Sequence, residues 1–185
     1  MHYRSDGVYG QVRVLMVGEA GPDQGIQRIA YQRGAVAGRA TVVMIGRSLF
    51  LFGDRTVLGA YMGFAPKLAA QLADSWVLVP RTSKAYGPIS ADVELGSSFW
   101  DELAMQGPLR KLAPSMLGGK RVIGIRGHST TGGKTAVATL YVRAVGRPLP
   151  VAQVEQQGSN KNTVTLSGWN EPVHVTAPSP KFILR

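Results

Sequence analysis

Along the first third of the chain, polar and apolar residues alternate. In Gln11–Gly18 (QVRVLMVG) Val12, Val14 and Met16 fall on one side, and in Gly25–Gln32 (GIQRIAYQ) Ile29 and Tyr31 face away from Arg28. Thr41–Ile45 (TVVMI) is apolar on both faces, and Ser48–Phe52 (SLFLF) follows across Gly46-Arg47. A period of two in β-branched and aromatic residues, cut by glycine, predicts strands. The short Gly46-Arg47 link predicts a hairpin.

The period then changes. Thr56–Asp74 (TVLGAYMGFAPKLAAQLAD) is rich in Ala and Leu, with Leu68 and Leu72 four apart on one helical face. Pro66 suits a first helical turn, where its missing N–H costs nothing. Two short helices are predicted, Val57–Gly63 and Pro66–Asp74, then a strand at Trp76–Val79 ended by Pro80. A further helix is expected at Ser97–Leu103, with Ser97 or Ser98 as its cap and Asp101 and Glu102 where the helix dipole favours acids. Gly107–Gly119, with Pro108, Pro114 and Gly118-Gly119, reads as loop. Strands return at Arg121–Gly127, Thr135–Val145, Leu149–Gln156, Asn162–Trp169 and Val173–Ala177, before an extended tail over 178–185. Strands joined by short turns around a helical insertion predict an antiparallel sheet with helices on one face, the α+β class. Without a long linker, a single domain over 1–185 is expected.

Composition sharpens this picture at two points. There is no cysteine, which excludes disulfides and thiolate chemistry. Charge is uneven: Lys+Arg number 21 against 11 Asp+Glu, and no acid occurs from Leu103 to Val154. A basic stretch either attracts anionic partners or simply keeps a surface solvated. The start, Met1-His2-Tyr3-Arg4, lacks the basic-then-apolar pattern of an export signal. No stretch approaches the ~20 apolar residues of a membrane-spanning helix, so a soluble chain is expected.

Catalytic and cofactor signatures are weak. Gly127–Thr135 (GHSTTGGKT) ends like a phosphate-binding loop, but His128 stands where the first glycine belongs, and a strand follows instead of a helix. A glycine-rich hairpin turn accounts for it better. His2, His128 and His174 lack a second ligand at metal-binding spacing, and no serine sits in a nucleophile elbow. Asp101-Glu102 are adjacent on a helix and point apart. No enzymatic activity, metal or cofactor is expected. The basic stretch Leu103–Val154 carries one aromatic, Tyr141, too few for base stacking, which argues against nucleic acid. The aromatic and Met-rich middle (Phe50, Phe52, Tyr61, Met62, Phe64, Trp76, Phe99, Trp100) fits either an ordinary core or the wall of an apolar cavity.

The order of motifs resembles a family. Thr41–Asp54 (TVVMIGRSLFLFGD), the helical Thr56–Asp74 and Trp76-Val77-Leu78-Val79-Pro80 are similar to the central hairpin, helical insertion and next strand of actinobacterial envelope lipoproteins of the LppX/LprG type, in the LolA-like superfamily. Gly119–Ile125, Ala138–Val142, Leu149-Pro150-Val151 and Val164–Val173 resemble the later strands. The resemblance implies a curled antiparallel half-barrel whose concave face is covered by short helices, with an apolar cavity between. It implies a non-enzymatic carrier of lipid or lipid-like ligands in the cell envelope, outside the cytoplasm. The cavity would be lined by Val14, Met16, Ile29, Tyr31, Val43, Ile45, Phe50, Phe52, Leu58, Tyr61, Met62, Phe64, Leu68, Leu72 and Trp76. Arg110, Lys111, Lys120 and Arg121 would meet anionic headgroups or an anionic membrane surface. The chain departs from the family in lacking a signal and a lipid-modified Cys. It also begins with a strand-like His2–Ser5 where relatives place a helix, and a second copy covering the apolar surface so exposed would make a homodimer. A structural or protein-interaction domain with a filled core, and a basic nucleic-acid binder, are the alternative readings.

Overall fold

A computed structural model of the chain describes all residues except 92, 97–99, 102, 132–133, 181–182 and 185. The chain opens as a meander of β1 (His2–Tyr9), β2 (Val12–Ala20), β3 (Gln24–Arg33), β4 (Val36–Ile45) and β5 (Ser48–Gly53). The turns after β3 and β4 use Gly34 and Gly46 at φ 58° and 57°, a conformation glycine adopts without a Cβ penalty. A π-helical turn (Val57–Tyr61) and α1 (Pro66–Leu72) follow, then β6 (Trp76–Val79) and α2 (Tyr86–Ser90). Next come β7 (Gln106–Lys111), β8 (Ser115–Leu117), β9 (Lys120–Thr131), β10 (Lys134–Arg143), β11 (Pro150–Gln157), β12 (Asn160–Ser167) and β13 (Ile183–Leu184).

These strands form one 13-stranded sheet in the order β13-β6-β5-β4-β3-β2-β1-β12-β11-β10-β9-β7, with β8 also on β9. The order does not close on itself, so the sheet is an open, curled half-barrel. All pairings are antiparallel except the short β13–β6 contact. The first strand lies in the middle, between β2 and β12, which joins the two halves of the chain.

Period-two alternation sends one set of side chains to the concave face. Met16 stands opposite Ile29, Ile29 opposite Ala40, and Val42 opposite Leu51. The helical elements cover this face over β2–β6. Val57, Leu58 and Ala69 are buried among Val14, Ile29, Tyr31, Val42, Met44, Leu49 and Leu51. Asp54 fixes the entry: its carboxylate accepts the Val57 N–H at 2.9 Å and the Arg39 N–H at 2.5 Å. Beside it, a Cβ on Gly38 would stand 2.7 Å from Asp54 Oδ1 and 2.8 Å from the Val57 nitrogen. Only glycine lets the helical entry sit so close to β4. A smaller cluster, Met1, Tyr3, Ala20, Leu103 and Leu166, packs at the β1–β12 seam.

Several sequence expectations shift. Gly107–Gly119 is not loop, because β7 and β8 pair along β9 there. Their residues are exposed throughout and their register is irregular between Gln106 and Arg110, so no alternation marks them. Pro108 falls in that irregular stretch of an edge strand, where a missing N–H is tolerated. Val173–Ala177 is not a strand; it forms no ladder. The segment after β12 instead crosses the convex face, where the Val175 N–H reaches the Gln24 side chain at 3.4 Å, and ends as β13 beside Trp76 and Val77. The helix expected at Ser97–Leu103 falls largely outside the described residues, although Trp100 and Asp101 are helical. The Gly127–Thr135 segment is the β9–β10 hairpin, its ladder running to Thr131 and Lys134.

Candidate ligand cavity

The helical elements stop short of the second half of the sheet. Over β1, β12, β11, β10 and β9 the concave face is left with a cavity of about 400 Å³. That volume lies within the ~300–1,000 Å³ usual for small-ligand pockets. One wall is Tyr61, at the end of the π-helical turn, and Met16 on β2. Tyr61 donates its hydroxyl to the Met16 sulfur at 3.6 Å and packs near the Tyr31 ring, with centroids 6.2 Å apart. Gln27 donates to the same sulfur at 3.5 Å, so the thioether is held from two sides.

Chemistry grades along the strands. At one end Tyr3, Met16, Leu103 and Val164 present apolar surface. Toward the other end the lining is Ser129, Glu155, Gln157, Asn160 and Asn162, with Tyr9 at the rim, while Gln153 stands opposite Val164 where the two ends meet. The polar groups are organised: Ser5 donates to Asn162 Oδ1 at 3.0 Å, and Gln153 donates to Glu155 Oε1 at 2.9 Å. Asn160 Oδ1 accepts the Gly10 N–H at 3.0 Å, and Gln157 donates to the Thr135 carbonyl at 3.0 Å. Such a pocket suits an amphipathic molecule, with its apolar part toward Met16 and Leu103 and its polar part against the amides. Among the described residues, no group of three or more His, Asp or Glu is placed to hold a metal.

Of the residues proposed for the cavity from sequence, Met16 and Tyr61 line it. Val14, Ile29, Tyr31 and Leu58 lie in the packed cluster beneath the helices, with Met62, Phe64 and Leu72 against it. Leu68 is 40% exposed on α1. Val43, Ile45, Phe50, Phe52 and Trp76 alternate onto the convex face, where the Phe52 and Trp76 rings meet at 5.4 Å. The sheet itself separates these five from the cavity. Arg110 and Lys111 are exposed on β7, and Lys120 and Arg121 at the start of β9, at the far edge of the sheet. The polar half of the lining was missed because Gln153, Glu155 and Gln157 repeat with a period of two, which in a sequence looks like a solvated face.

A second concavity lies on the convex side. Arg4, Asp6, Val8, Arg13, Lys161, Thr163 and Thr165 line a shallow groove of about 390 Å³ across β2, β1 and β12. Arg13 donates both Nε and Nη2 to Asp6, at 3.0 and 2.7 Å, and holds that carboxyl below the usual carboxylate range. At the strand end burial pushes the Met1 amino group below its ordinary value, while it donates to the Ala20 carbonyl at 3.1 Å.

No protein-family model matches the chain, and no curated protein matches its sequence. Solved structures do share its fold. LprF from Mycobacterium bovis superposes with a TM-score of 0.57 at 12% identity, over 96% of this chain and 88% of that one. The Mycobacterium tuberculosis lipoprotein LppX gives 0.50 at 14% identity, over 95% and 88%. The curled sheet with short helices is therefore the fold of LprF and LppX.

Proposed function

We propose that this domain is a non-enzymatic carrier of an amphipathic, lipid-like ligand, working outside the cytoplasm in the cell envelope. The observation that carries the reading is the cavity between Tyr61 and the uncovered half of the sheet, apolar at the Met16–Leu103 end and polar at the Glu155–Asn160 end. The fold shared with LprF and the lipoprotein LppX supports it. Each methylene of a bound chain contributes about 0.8 kcal/mol on burial, so a modest apolar segment retains a ligand. Native mass spectrometry of protein purified from a lipid-containing host should reveal bound lipid. Ala136→Trp, which puts an indole into the cavity wall, should displace it and abolish uptake of a fluorescent fatty acid. Protein that arrives empty and takes up no fatty acid would end this reading.

One observation favours a second reading. The space beneath the helices is filled core, with Val57 0% and Leu58 1% exposed. A structural or protein-interaction domain would have such a core, and the empty-protein result would select it.

A further inference from the structure

The curled sheet has a cationic outer surface, and its charges come from strands far apart in sequence. Arg4 on β1, Arg13 on β2, Arg28 on β3, Arg39 on β4 and Lys161 on β12 all alternate onto the convex face, and all are exposed. Arg13 is paired with Asp6, whereas the other four make no ion pair with a described residue. Glu19 also belongs to this face, but it sits at the end of β2 against His2, at 3.4 Å. Arg4 and Arg28 flank Val17 in one cross-strand row. At strand spacings of ~4.8 Å they stand roughly 10 Å apart. That is about one Debye length at physiological salt, so their fields overlap. Between the cations lie the exposed apolar residues Val8 and Val17, at 39% and 38%.

We propose that this convex face docks the domain onto an anionic lipid bilayer. Broad positive charge interleaved with small apolar side chains matches the headgroup layer, where each Lys or Arg adds attraction. No aromatic stands among these residues to stack on bases, which disfavours single-stranded nucleic acid as the occupant. The cavity opens on the opposite, concave side, so docking would leave it unobstructed. The proposal stands independently of what the cavity holds.

The test is sedimentation with vesicles of phosphatidylcholine alone and with phosphatidylglycerol added. The protein should pellet with the anionic vesicles only, and added salt should release it. The triple variant Arg4→Gln, Arg28→Gln, Arg39→Gln should weaken vesicle binding about a hundredfold. Arg55→Gln, Lys67→Gln, Lys84→Gln loses the same charge from the helical side and should bind as the parent does. Replacing the three convex arginines by lysine should retain binding, which separates lost charge from lost folding. No binding to anionic vesicles at low salt would overturn the proposal. So would equal loss in the helical-side variant, or tighter binding to an oligonucleotide than to vesicles.

Discussion

Leu58→Ala separates a filled core from a ligand chamber beneath the helices. Leu58 is 1% exposed and belongs to the cluster that fastens the π-helical turn to β2–β5. Its Cδ2 lies 3.1 Å from where a Cβ on Gly53 would stand, so the side chain rests directly on the β5 backbone. Its N–H donates to the Asp54 carbonyl at 3.1 Å and its own carbonyl accepts the Phe64 N–H at 3.0 Å, which limits collapse after truncation. A buried Leu→Ala of this kind costs about 2–5 kcal/mol. For a chain of this size each kcal/mol lowers Tm by ~2–4 °C, so a loss in the middle of that range lowers it by about 7–14 °C. Urea titration should show the midpoint fall with an unchanged slope. Fatty-acid uptake below the transition should match the parent, because Leu58 does not line the cavity. A loss under about 1 kcal/mol with altered uptake would refute the reasoning, since it would mean that Leu58 faces ligand rather than core.

Other expectations follow from the same geometry. Tyr61→Ala removes one wall of the cavity and its contact with Met16, and should weaken fatty-acid retention several-fold in a displacement titration while the fold persists. Gly38→Ala should cost about 1–3 kcal/mol in chemical unfolding, because its Cβ would displace Asp54 and the helical entry. Asp6 is held below its unfolded value by Arg13, so the pair's contribution is present above about pH 4 and is lost as pH falls through the folded value. In Arg13→Gln the acid limb of the stability–pH curve should flatten slightly, and high salt should erase the difference because the pair is solvent-exposed.

Much of the fold was legible in the sequence where one face is buried and the other wet. Arg28 between Ile29 and Gln27, and Arg13 between Val12 and Val14, fix both strand and register. Trp76–Val79 is legible because Pro80 ends it. Legibility fails where both faces are alike. In β5, Leu49 and Leu51 point to the core while Phe50 and Phe52 point away, and only the pairing with β4 distinguishes them. β7 fails for the opposite reason, since it is exposed along its whole length. The cavity leaves no continuous apolar signature in the sequence, because much of its wall is hydroxyl, amide and carboxylate. Helix α2 is five residues long, with Pro88 inside it, too short to set a period.

The place of β1 governs when this molecule can finish folding. Ser5 bonds Asn162 across 157 positions, and the β1–β12 ladder is the seam that makes one sheet from two half-sheets. Closing so long a loop has an entropic cost before any contact offsets it, which makes such pairings slow. The β1–β5 meander can assemble early and locally, yet β1 waits with an unpaired flank until the last quarter of the chain arrives. During that interval each half exposes a strand edge open to pairing with another chain. The rate of seam closure, rather than the stability of either half, should therefore set the aggregation yield on refolding.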